Sequence, residues 1–139
     1  MIRKMKLQEL PQVAEMLRAM TIEVYPKYYS KILADYSWAL HEHIINGDTI
    51  YVDDDLRGFF VVRVATDSVT PSLVMYEAVR LYVKPEFRHT KLLYNFYERV
   101  YEDFTDGDII GITDINSKHI PILEKRQERI ANVYKITRS

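Results

Sequence analysis

Leu73-Val74-Met75-Tyr76-Glu77-Ala78-Val79-Arg80-Leu81-Tyr82-Val83, followed by Lys84-Pro85-Glu86-Phe87-Arg88-His89-Thr90-Lys91-Leu92-Leu93, is the stretch on which the fold turns. Residues 73–83 are rich in β-branched and aromatic side chains and read as one long strand. Pro85 ends it, because proline cannot donate to a ladder and restricts the residue before it. A short basic loop reaches Lys91, and a helix over 92–104 carries Leu92, Leu93, Phe96, Val100 and Phe104 at helical spacing. Strand, basic turn and helix together present backbone N–H groups to a phosphate.

On the alternating face Leu73, Met75, Glu77, Val79, Leu81, Val83, only Glu77 is polar. A carboxylate there is costly unless paired, and desolvation favours its taking up a proton. A general base acting on an ammonium needs that environment. The competing readings are a salt bridge to Arg80 or Arg63, or a bulge that turns Glu77 outward.

The segment Leu81-Tyr82-Val83-Lys84-Pro85-Glu86-Phe87-Arg88 resembles the central strand and pyrophosphate loop of GNAT-type N-acyltransferases. The family loop reads Arg or Gln, two residues, Gly, one residue, then Gly or Ala. Arg88 keeps the first place, while Lys91 and Leu93 stand at the small-residue positions. The resemblance implies an α/β acyl-CoA N-acyltransferase fold with a mixed parallel and antiparallel central sheet flanked by helices, acetyl-CoA as acyl donor and a primary amine as acceptor. It implies that Leu81, Tyr82 and Val83 hold the pantetheine arm through their backbone. Arg88, His89, Thr90, Lys91 and Leu92 would hold the pyrophosphate, and Asn116, which opens the last helix, joins the cofactor contacts. Glu77 falls at the general-base position. The family's usual acid, a tyrosine seven residues after that asparagine, is replaced by Leu123, which leaves Tyr134 or Tyr82 as substitutes. Leu93 in place of a small residue leads to an expectation of weakened CoA affinity.

With 139 residues, 47% apolar and 28% charged, the chain reads as one soluble globular domain over 1–139. A formal net charge of −1 argues against a duplex-binding surface. No apolar run approaches the roughly 20 residues that span a bilayer. The N-terminus lacks a signal-peptide core. Cysteine is absent, which removes thiolate chemistry and fits a cytoplasmic or intravirion setting.

The rest of the chain supplies the flanking elements. Residues 2–7 read as a first strand, and 8–21 as a helix with Leu10, Val13, Ala14, Leu17 and Met20 on one face. An aromatic linker over 25–30 leads into a helix over 30–45, closed by Asn46-Gly47. In the GNAT fold this linker and helix wall the acceptor side, so Tyr25, Tyr28, Tyr29 and Trp38 would line it. Residues 49–53 and 57–65 read as a hairpin around Asp53-Asp54-Asp55-Leu56, an acidic turn expected to be solvated and not a metal site. His41 and His43 are two apart on one helix and cannot share a metal. A strand over 108–113, a helix over 118–126 and a strand over 130–137 complete the order β-α-α-β-β-β-α-β-α-β, which is that of the GNAT fold.

Tyr94, Tyr97 and Tyr101 form a second stripe on the helix after the loop. Tyrosine concentrates at interfaces. The stripe supports an alternative in which a degenerate GNAT-like chain, of the kind found among phage proteins, binds a protein partner or a second copy without catalysis.

Overall fold

A computed structural model describes residues 1–24, 36–66 and 74–111. The aromatic linker with Tyr25, Tyr28 and Tyr29, together with Asn116, Tyr134 and the last predicted helix and strand, lies outside the described residues.

The elements are β1 (Ile2–Lys4), α1 (Leu10–Val24), α2 (Tyr36–Ile45), β2 (Thr49–Asp53), β3 (Gly58–Thr66), β4 (Val74–Val83), α3 (Leu92–Asp103) and β5 (Asp108–Gly111). The five strands lie in the order of the sequence, β1-β2-β3-β4-β5. The first four are antiparallel neighbours, and β5 pairs parallel to β4. A parallel pair needs a crossover, and α3 supplies it.

Alternation along the strands builds two apolar layers. Tyr51, Phe60, Val62, Tyr76 and Val83 face α3 and pack with Leu92, Leu93, Phe96, Tyr97 and Val100. Ile50, Val52, Phe59, Val61 and Tyr82 face the opposite way, against Val13, Met16 and Leu17 of α1 and Leu40 of α2. The first strand is shorter than expected. A 3-10 turn at Leu7–Glu9 replaces its end, and Glu9 accepts from the Lys6 N–H at 2.8 Å and from Arg3.

The β2–β3 turn is organised by Asp53. Its carboxylate is fully buried and accepts from the Arg57 N–H (2.6 Å), Arg57 Nε (2.7 Å) and the Gly58 N–H (3.2 Å). Of the acidic triplet, Asp53 therefore holds the turn, and Asp54 pairs with Arg3 at 2.9 Å.

Gly58 is required by close approach. A Cβ there would lie 2.5 Å from the Tyr82 carbonyl oxygen and 3.1 Å from Phe96 Cε2. The backbone neighbour cannot rotate away, so an added methyl must push β4 or α3. Gly58→Ala is expected to cost about 1–3 kcal/mol, read as a lower midpoint in urea unfolding at unchanged slope.

Candidate active site

The long strand does not keep one alternation. Val61 of β3 pairs with Arg80, but Val62 pairs with Ala78, so Val79 is an extra residue in β4. Such a bulge reverses the facing of everything beyond it. Tyr76 and Ala78 pack toward α3, which sends Glu77 to the α1–α2 side. Leu81 and Val83 return to the α3 side, while Val79 and Tyr82 pack on the α1–α2 side. The face expected from the sequence, Glu77 together with Leu81 and Val83, is therefore corrected. Glu77 is also not the sole polar group on its face, because Arg80 joins it.

The α1–α2 side of β4 carries a connected polar group. Arg80 Nε donates to His43 Nε2 at 3.0 Å. That leaves the proton on Nδ1, which donates to Asp48 Oδ2 at 2.7 Å. Arg63 donates three further bonds to Asp48, from Nη2 to Oδ2 at 2.9 Å and from Nε to Oδ1 and Oδ2 at 3.0 and 3.3 Å. Arg63 is the register partner of Glu77, and the Glu77 charge helps raise its pKa, after the larger effect of its bond to Asp48. Burial pushes the Asp48 carboxyl up, but the bonds from Arg63 and His43 outweigh it and hold its pKa below the ordinary value. Glu77 itself is half-buried.

The pairing of β4 with β5 runs from Met75–Asp108 to Ala78–Gly111. Past the bulge, residues 79–83 have no β5 partner among the described residues. Residues 79–83 lead straight into the loop before α3.

In that loop, Pro85–Phe87 forms one 3-10 turn. The Arg88 side chain turns back into the fold: Nε donates to the Val83 carbonyl (2.9 Å) and Nη2 to Glu23 of α1 (2.7 Å), with the guanidinium over the Tyr82 ring. Thr90 Oγ1 donates to the Phe87 carbonyl (2.6 Å) and accepts from the Leu92 N–H (3.3 Å). Arg88 and Thr90 side chains therefore shape the loop, while His89 and Lys91 are exposed. Leu92 and Leu93 are both buried in the α3 core, so Leu93 does not project over the helix N-terminus. Lys91 makes no side-chain capping bond, and the Leu93 N–H has no acceptor among the described residues. An N–H without an acceptor at a helix N-terminus, beside exposed basic side chains, suits an anion.

Other expectations change. Tyr97 is buried and meets the Phe60 ring edge-on, so it belongs to the core, where such pairs contribute about 0.5–1.5 kcal/mol. Tyr94 and Tyr101 remain exposed, and the three do not form one surface stripe. Trp38 is 55% exposed and donates to Glu42, on the outer side of α2 and away from the wall assigned to it. Tyr82 is buried; desolvation, only partly offset by Arg88, raises its pKa and makes it a reluctant acid. The described residues hold no cluster of three or more metal-ligating side chains, and none of their helices is long and apolar enough to cross a membrane.

No protein-family model and no curated protein matches the sequence. Solved structures do. A mutant of the BH1408 protein from Bacillus halodurans aligns with a TM-score of 0.80 at 12% identity, over 100% of this chain and 99% of that one. The ribosomal-protein-alanine N-acetyltransferase of Brucella melitensis biovar Abortus aligns with a TM-score of 0.71 at 15% identity, over 100% and 98%. A predicted acetyltransferase from Clostridium acetobutylicum, solved with acetyl-CoA, aligns with a TM-score of 0.70 at 8% identity, over 99% and 95%. The chain has the fold of GNAT-type acetyltransferases. The α/β fold class expected from the sequence is correct at full length.

Asp48 gives the GNAT fold here a pH dependence. Its folded pKa is lowered, so its stabilisation is complete above the unfolded value of about 4 and is lost as pH falls through the folded value. Asp48→Asn is expected to cost about 2–4 kcal/mol near pH 7, below the full buried-pair figure because Arg63 is partly solvated. The difference from wild type should shrink steadily below pH 4 in unfolding titrations.

Proposed function

We propose that this chain is an N-acyltransferase that moves an acetyl group from acetyl-CoA to a primary amine. The observation that supports this most is the bulge at Val79. It turns a half-buried carboxylate to the α1–α2 side of the strand that leads into the loop before α3. Acetyl-CoA, when bound, supplies an acetyl group activated as a thioester.

The residues divide the work. Glu77 takes the proton from the acceptor ammonium, directly or through one water, and so makes the nitrogen a nucleophile. The backbone of Leu81, Tyr82 and Val83 holds the pantetheine arm by strand-like bonds. Backbone groups from His89 to Leu93, with the Lys91 charge, hold the pyrophosphate; Arg88 keeps the loop in place through Glu23 and Val83. Tyr134 would give a proton to the departing thiolate of CoA and Asn116 would contact the cofactor, as the family resemblance implies. A second reading, a non-catalytic binding protein, rests on the exposed Tyr94 and Tyr101.

Because Leu93 packs inward, calorimetric titration should show CoA binding at micromolar to sub-millimolar strength. The binding should weaken between about 50 and 200 mM salt, since exposed charges contribute. Glu77→Gln should keep that affinity and lower the acetyl-transfer rate on the order of 10²-fold or more. Absence of binding up to millimolar CoA would end the acyltransferase reading in favour of the binding protein.

A further inference from the structure

Among the described residues, one buried side-chain polar atom has no hydrogen-bond partner, the Tyr36 hydroxyl. A buried hydroxyl left unpaired costs about 1–3 kcal/mol, and native folds keep few of them. Such a group is available to a partner from outside the fold.

Its place narrows what that partner is. Tyr36 opens α2 and shares a row with Leu40 and His43, at the i, i+4, i+7 spacing of one helix face. Leu40 and His43 are buried against the sheet, so this row is the inner one. Tyr36 packs on the same cluster as Tyr82 and the bulge residue Val79. The hydroxyl therefore belongs to the side of β4 that carries Glu77, opposite to α3. Seven residues of helix put about 10 Å between Tyr36 and His43. The Arg80–His43–Asp48 chain of bonds does not include it, and its members already hold one another. The side chains packed on the same cluster, Met20, Ala39 and Val79, are apolar.

We propose that Tyr36 is a specificity-determining residue for the amine acceptor. Its hydroxyl donates a hydrogen bond to an oxygen, hydroxyl or carbonyl, borne on the acceptor's short carbon skeleton. The inference rests on the acyltransferase reading and names the acceptor class within it: a compact amine that also carries a neutral hydrogen-bonding oxygen. A site built around a buried donor discriminates strongly against an analogue without the oxygen, because the donor is then left unpaired. An amine with an apolar tail forfeits that bond.

Tyr36→Phe removes the hydroxyl alone, and three measurements on the full chain read the result. The thermal midpoint should stay the same or rise, since an unpaired buried group is lost. CoA affinity by calorimetry should stay the same. Acetyl transfer to ethanolamine and propanolamine should exceed that to ethylamine and propylamine by about tenfold or more in kcat/KM for wild type, and the preference should vanish in the variant. A fall of several degrees in the midpoint would show that the hydroxyl is bonded within the fold, and overturns the proposal. So does a wild type that transfers acetyl without preferring the amino alcohols, or a preference that survives in Tyr36→Phe. A wild type that binds no CoA fails earlier and removes the acyltransferase reading itself.

Discussion

One extra residue in a strand governs the arrangement. With Val79 inserted opposite the Val61–Val62 step, β4 cannot keep one face along its length. Before the bulge it pairs on both edges; past it, β3 remains as the partner among the described residues. Glu77 and Arg80 come to share a face that continuous alternation would have divided between them. The same strand then runs on through residues 79–83 into the loop before α3.

Holding a bulge in the middle of a sheet requires support on both sides. On the α1–α2 side, Arg80, His43, Asp48 and Arg63 form a chain of bonds that links β4, α2, the start of β2 and β3. Removing a member leaves a buried charge or donor without its partner, which costs far more than a surface pair contributes. Past the bulge, Arg88 ties the end of β4 to α1 through Val83 and Glu23, with both side chains largely desolvated. Gly58 lets β3 press close to Tyr82 and Phe96 at the same level. The strand on both sides of the bulge is thus held by elements that are fixed to one another.

Much of this was legible from side-chain periodicity. The expected bounds of β2 match the structure, and those of β3, β4 and α3 differ by a residue or so, because each has a strong period and a clear stop such as Pro85. The resemblance in 81–88 supplied the mixed parallel and antiparallel character of the sheet, which no pattern of spacing reveals. A bulge that turns Glu77 was among the expected alternatives, but its place at Val79 was not legible, since Ala78, Val79 and Arg80 read equally well in either register. The polar chain was missed with it: Arg80 lies on the face of Glu77 only because of Val79, and His43 meets Asp48 across the Asn46-Gly47 turn. Tyr97 misled for a different reason. Its ring is apolar enough to join Phe60 and Phe96, and spacing alone cannot divide a half-buried helix stripe from a fully buried one.

The central claim is that the edge of β4 past the bulge and the N-terminus of α3 form one binding surface for the CoA chain. Amide NMR of the labelled protein during addition of CoA tests it most directly. The account predicts that the largest shifts fall together on residues 79–83 and 89–93 and saturate along one binding curve. Shifts confined to exposed positions on the outer side of α2, around Trp38, or no shifts at millimolar CoA, would contradict it.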